Sequence, residues 1–318
     1  MAPIILFVYN RPALAGQTLQ SLKENNLASA SDLFIFSDGP KEGDSEENKA
    51  KVSAVREVIR EQNWCRTVTI IEQPKNKGLA ASVTDGVTEI VSKYGKVIVV
   101  EDDVLLSRHF LQFMNDSLDT YADDPKVLAV GSWNYFQGNP QPGNEIFFFR
   151  YPDSIAWATF DRSWKLFEKD AELALKKLIR MKRMRKFNGD GDAPYFENML
   201  NMQISGKINS WAIRWTATSI INDMLSVFPA QTLSKHIGFG AEATHETSDV
   251  DYNSGLVLAE KKIEVTRLPP VENEEALNAW KKFVKTNFLD PAGIKPPLPF
   301  ARRAVNALGR RMKNFFRK

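Results

Sequence analysis

Short apolar runs rich in Val and Ile recur through the first 135 residues. They are "IILFVYN" (4–10), "DLFIFSDG" (32–39), "TVTIIEQ" (67–73), "KVIVVEDD" (96–103) and "KVLAVGSW" (126–133). Each has strand length, and the near-continuous apolarity predicts strands buried on both faces. Between them apolar residues fall at helical spacing: Leu14, Thr18 and Leu22; Val52, Val55 and Ile59; Leu79, Val83, Val87, Ile90 and Val91; Phe110, Phe113, Met114 and Leu118. Repeated strand–helix units predict an α/β fold, with a mostly parallel central sheet and helices on both faces. Beyond residue 135 the periodicity is less clear.

In such sheets ligands bind beyond the carboxyl ends of the strands. Polar signals collect there: "NRP" at 10–12, "SDGP" at 37–40 and "EDD" at 101–103. Glu101, Asp102 and Asp103 repel one another, so a semi-enclosed strand end holds them only with a compensating cation or hydrogen-bond donors. Hard oxygen ligands select Mg2+ or Mn2+, and a metal held by one or two carboxylates keeps positions open for phosphate oxygens. There it neutralises charge on a departing diphosphate. The alternative is that these acids serve the dipole of the helix that follows. In "KNKGLAASV" Lys77 and Gly78 open a helix, where free backbone N–H groups suit an anion or a nucleoside hydroxyl, or form a simple turn. Asp38 offers a carboxylate to a base edge, although Asp-Gly is also a common turn pair. Arg11 offers a guanidinium to a diphosphate, or is a solvated residue before Pro12. Jointly, at successive strand tips, these residues describe a nucleotide-diphosphate site.

Composition narrows the class. With 318 residues, 43% hydrophobic and 25% charged, disordered and fibrous classes are excluded, and one domain plus a tail is expected. No run approaches the eighteen apolar residues of a membrane span, and the first ten residues are too short for a signal peptide. The single cysteine, Cys65, excludes an internal disulfide and fits a reducing, cytoplasmic setting. Net charge is +3, but residues 299–318 hold seven Lys or Arg and no acid, which leaves the body mildly acidic. Drawn as a helix, this tail places Phe300, Ala304, Leu308, Met312 and Phe315 along one side with cations flanking them. Such a helix is expected to dock on an anionic membrane surface, with "KKLIRMKRMRKF" (176–187) as a second basic contact. Nucleic acid is disfavoured as a partner, since base-stacking aromatic residues more often line a sheet or groove. A dinucleotide enzyme is disfavoured because no G-x-G-x-x-G follows a strand.

The ordered set "FVYNRP", "FSDGP", "NKGLAASV", "VVEDDV", "WATFDRSW" and "INSWAIRW…FPAQTLSKHIGFGAEATHE" resembles the metal-dependent glycosyltransferases of the GT-A fold. Within them it is most similar to the group containing the N-acetylglucosaminyltransferase that initiates complex N-glycans and its bacterial surface-polysaccharide relatives. The similarity covers about residues 3–255. It implies a catalytic domain over 1–298, with a nucleotide-binding half to about 135 and an acceptor half from 136 to 298. It implies a nucleoside-diphosphate sugar, UDP-linked, as donor, and a glycan or lipid-linked glycan as acceptor.

By the same resemblance Asp103 coordinates Mn2+ or Mg2+, Asp102 supports metal and sugar, and Glu101 bonds the ribose. Asp38 reads the uracil edge, and Arg11 lies beside the nucleotide. His245, in a loop expected to close over the donor, either reaches the metal or diphosphate or has a structural hydrogen-bonding role. The match breaks at "INSWAIRW": related chains carry an Asp as catalytic base where this one has Asn209, and a neutral amide takes no proton. Asn209 is left to orient the acceptor, with Arg214 on the same segment as a further candidate. Asp190, Asp192, Glu197 and Glu242 are candidate substitute bases. Trp211 and Trp215 offer faces to a sugar ring or belong to the core. A nucleotide-sugar-binding protein that has lost catalysis is the competing expectation.

Overall fold

The computed structural model describes residues 1–134, 144–238 and 255–289. Its strands are β1 (Ile4–Val8), β2 (Asp32–Ser37), β3 (Thr67–Glu72), β4 (Lys96–Glu101), β5 (Val104–Leu106), β6 (Val127–Gly131), β7 (Ile146–Phe149), β8 (Ala156–Phe160), β9 (Leu225–Pro229) and β10 (Ser234–His236). The helices are α1 (Pro12–Lys23), α2 (Glu46–Val58), α3 (Leu79–Tyr94), α4 (Phe110–Thr120), α5 (Asp161–Trp164), α6 (Ala171–Arg180), α7 (Met184–Phe187), α8 (Tyr195–Ile204), α9 (Trp211–Asn222) and α10 (Glu274–Val284).

Eight strands form one sheet in the order β3-β2-β1-β4-β8-β6-β9-β7, and β10 pairs with β5 in a small ribbon. Alternation along the strands feeds two cores. Ile4, Leu6, Ile98 and Val100 pack into the cluster that takes Leu19 and Leu22 of α1, Val55 of α2 and Phe113 of α4. Ile5, Phe7, Val97 and Val99 pack against Val83 and Val87 of α3 and Trp211 and Trp215 of α9. Helices therefore cover both faces, as the buried apolar runs require. A third cluster joins Phe147 and Phe149 of β7 to α6, α8, α9 and α10.

Two departures from the sequence reading follow from sheet position. The run at 126–133 forms β6 as expected, but a strand that the sequence pattern does not mark separates it from β4. β8 lies between them, antiparallel to both, with Val99 opposite Trp157 and Val130 opposite Ala158. An antiparallel neighbour needs no crossover helix. The sequence "AWATF" is not the Val/Ile-rich run that marks a parallel strand, yet Ala156, Ala158 and Phe160 feed one core and Trp157 the other. The second departure is β3, which has no residue fully buried because, among the described residues, only β2 pairs with it.

Candidate functional site

β2, β1 and β4 are adjacent and parallel, so their carboxyl ends bring Asp38, Arg11 and the acid triplet to one edge of the sheet. Phe7 of β1 is in register with Glu101 of β4. Arg11, four residues further along at the start of α1, reaches across to the turn after β4. Its guanidinium bonds Asp102, and its Nη1 donates to Asp103 Oδ2 at 2.7 Å.

The other side of Asp103 is built by β5 and β10. Hydroxyls of α1 fix β5: Thr18 accepts from the Val104 N–H at 3.0 Å and Ser21 from the Leu106 N–H at 3.2 Å. β10 then pairs with β5, placing His236 opposite Val104, and the Ile237 N–H donates to the Asp103 carbonyl at 2.8 Å. His236 Nε2 lies 3.1 Å from Asp103 Oδ2. Gly238 closes the cradle: a Cβ there would lie 2.2 Å from the same oxygen.

Electrostatics splits the three acids. Burial, reinforced by Asp103 and Asp102, pushes the Glu101 carboxyl well above the ordinary carboxylate range. Burial also lifts Asp102, to about 6, against the pull of Arg11. Asp103 is held below its ordinary value because His236 and Arg11 outweigh the cost of its burial. The triplet is thus tolerated at a strand tip by one guanidinium and one imidazole, with burial favouring the neutral form of Glu101.

The donor set can be set against the metal that the sequence reading expects. Among the described residues Asp103 Oδ1 is buried without a hydrogen-bond partner, and His236 stands beside the same carboxylate. Among the described residues no cluster of three or more His, Cys, Asp or Glu is arranged around a metal position. One carboxylate and one imidazole form an incomplete shell, which suits a hard divalent ion that takes its remaining ligands from phosphate and water.

Asp38 is 6% exposed, and its carboxylate is engaged by backbone. Oδ1 accepts from Gly39 at 2.9 Å and Lys77 at 2.8 Å, and Oδ2 accepts from Gly78 at 2.9 Å. The N–H groups of Lys77 and Gly78 are therefore donated to Asp38 and are not left open to an anion. Gly78 has φ +77°, which glycine adopts without strain as it opens α3. The Lys77 ammonium pairs with Asp85 at 2.5 Å. A hollow of about 60 Å3 lies beside Asp38, with Phe36 and Ile71 among its walls.

The second-half candidates separate. Trp211 is 3% exposed and stacks on Trp157 at 5.1 Å with 23° between the planes, and Trp215 is fully buried in the same group. The helical spacing of Trp211 and Trp215 is a core signature, so Trp211 presents no face to a sugar. Asn209 is exposed just before α9, whose cap Ser210 accepts from the Ile213 N–H at 3.3 Å. Arg214 is tied to carbonyls, donating to Ser210 and Lys169 at 3.1 Å each. Asp192 is largely exposed and pairs with Lys281 at 3.2 Å. Asp190 bonds Arg150 at 2.9 Å, and Glu197 accepts from Asn188. His245, Glu242 and the 299–318 tail lie outside the described residues. Among those described, no helix is long and apolar enough to cross a membrane.

Sequence reasoning missed His236. It sits in a strand of three residues, too short to show a period, and its signal was its place in "SKHIGFG" just ahead of the Gly-bearing loop. It also missed a cavity of about 280 Å3 beside His236, lined by residues of α8, α9 and α10. The acid in its wall, Asp153, accepts four backbone N–H groups, from Ser132, Trp133, Ser154 and Ile155.

Neither a protein-family model nor a curated protein sequence matches this chain. Among solved structures, S. aureus TarS in its 1–349 form is similar over 51% of this chain and 47% of its own, at 12% identity and a TM-score of 0.35. A longer TarS structure matches 46% of this chain and 24% of its own, at 14% identity and 0.30. The galactosyltransferase LgtC, in complex with donor and acceptor sugar analogues, matches 57% of this chain and 65% of its own, at 13% identity and 0.32. The chain thus spans between a quarter and two thirds of these structures. Scores of this size leave the reading of the site to its own residues.

Proposed function

We propose that the chain is a GT-A-type glycosyltransferase that moves a sugar from a nucleoside diphosphate, UDP, to a glycan hydroxyl with Mn2+ or Mg2+ as cofactor. The observation that carries this reading is the convergence of Arg11, Asp102, Asp103 and His236 at the carboxyl end of β4. Asp103 and His236 would hold the ion, which when bound neutralises charge on the departing diphosphate. Arg11 adds a guanidinium at the same place and keeps Asp102 from repelling the phosphates. Glu101 stands at the same strand end, and a carboxyl whose neutral form burial favours suits a ribose hydroxyl. Asp38 Oδ2 accepts from the Gly78 N–H and keeps a second lone pair, which a base imide N–H would take beside the hollow over Phe36 and Ile71.

A specific N-acetylglucosaminyl donor, a lipid-linked acceptor, and docking of the basic tail and of residues 176–187 on an anionic membrane belong to the same proposal. They rest on the sequence resemblance and the charge pattern. The experiment is a screen of nucleotide sugars, with release of nucleoside diphosphate followed with and without Mn2+. Metal-dependent release from at least one of them is expected, and no turnover or binding of any of them would overturn the reading.

A nucleotide-sugar-binding protein without transfer is the second reading. It is favoured by Asn209 at the usual base position and by Asp153, whose carboxylate is saturated by backbone. Binding of a nucleotide sugar without acceptor-dependent turnover would select it.

A further inference from the structure

The cavity beside His236 is walled by rings. Phe196 stacks on Trp280 at 5.3 Å with 23° between the planes, Tyr151 lies 4.3 Å from Trp280, and Tyr195 lies 4.9 Å from Phe288. Met199 and Ile213 add a thioether and an alkyl wall. One polar group in the lining, Trp215 Nε1, has no hydrogen-bond partner among the described residues, whereas two others are committed elsewhere. The Tyr151 hydroxyl accepts from the Gly189 N–H at 2.9 Å and faces the carbonyls of Lys186 and Phe187, and Asp153 is saturated by four N–H groups. No Lys or Arg lines the cavity among the described residues.

These walls discriminate between ligand classes. A sugar buried here would lose water at each hydroxyl and find only Trp215 Nε1 and the Ser154 and Thr216 hydroxyls on walls that are mostly rings and alkyl groups, and an anion would meet no fixed cation among the described residues. A hydrocarbon or aromatic group would exchange water for ring and thioether contacts. The space, about 280 Å3, is roughly twice the ~150 Å3 apolar cavity that suffices for benzene. A short alkyl chain or a fused pair of rings fits that volume. His236 belongs both to the lining and to the Asp103 cradle, so the cavity adjoins the site.

We propose that this cavity binds an uncharged alkyl or aromatic group carried by the acceptor, beside the hydroxyl that receives the sugar. That the group belongs to an acceptor rests on the transfer reading above; that the cavity takes such a group rests on its walls. The test uses the full-length protein and N-phenyl-1-naphthylamine, an uncharged dye that brightens in apolar sites. We expect saturable binding of about one dye per chain, displaced by n-octyl β-glucoside below its micelle concentration and not by methyl β-glucoside. Met199 is only partly buried, so Met199→Trp fills the space from its rim and should weaken dye binding at least tenfold. Ala212→Leu, at a second partly buried wall position, should do the same if Met199→Trp does not fold. Absence of dye binding, equal displacement by the methyl glycoside, or unchanged binding by a folded filled variant would overturn the proposal. Titration of wild-type protein with UDP and Mn2+ is read separately, so a failure of the transfer reading is distinguishable from a failure of the cavity.

Discussion

Asp103 is clasped from two ends of the chain: Arg11 Nη1 lies 2.7 Å from its Oδ2 and His236 Nε2 lies 3.1 Å from the same oxygen. Removing the guanidinium leaves two buried acids facing each other. Arg11→Met is therefore expected to cost about 3 kcal/mol, the low end for breaking a buried pair because the Arg11 side chain keeps some solvent contact. Urea denaturation checks this. Adding Asp102→Asn should return part of the loss, and an Arg11→Met midpoint equal to wild type would contradict it.

Gly238→Ala places a methyl group where Asp103 Oδ2 now sits. The carboxylate has to turn away, so Mn2+-dependent binding of UDP should fall at least tenfold while the melting temperature changes by only a few degrees. Calorimetric titration together with a melting curve separates the two effects.

Asp38 holds the turn before α3 through three backbone N–H groups. Asp38→Ala strands those donors at a largely buried position and should destabilise by about 2 kcal/mol. Hydrogen exchange at Lys77 and Gly78 should quicken with it. Protection that survives the substitution would show that the carboxylate does not hold this loop.

Trp211→Ala opens a void against Trp157 and should cost about 3 kcal/mol, in the range for truncating a core aromatic residue. Trp211→Phe should restore most of the stability and leave turnover of any nucleotide sugar near wild type. A large loss of turnover in a stable Trp211→Phe protein would return this residue to the acceptor.

What was legible in the chain was local. The four strands β1 to β4 and the helices between them announce themselves through Val/Ile runs and helical spacing, and the acid triplet stands out because three like charges need compensation. Arg11 and Asp38 were legible as strand-end residues, but not as a clamp on the acids and a pin for a turn, since both roles depend on neighbours in space. β8 was hidden because "AWATF" has no Val/Ile run, and its place beside β4 follows from antiparallel pairing. Trp211 and Trp215 carried a true helical spacing whose meaning, core or platform, was decided only by Trp157 opposite them. His236 lay in a strand too short to show a period, and its role beside Asp103, like the aromatic cavity, is assembled from segments distant in sequence.

Asp103 and His236 at the end of β4 stand at the proposed divalent-metal-dependent diphosphate site. Isothermal titration of UDP into wild-type protein and Asp103→Asn, each with Mn2+ and with chelator, is the deciding measurement. Binding to wild type only with metal is expected, together with its loss in Asp103→Asn although that variant stays folded. Equal binding with chelator, or an Asp103→Asn protein that binds UDP and Mn2+ as wild type does, would contradict it.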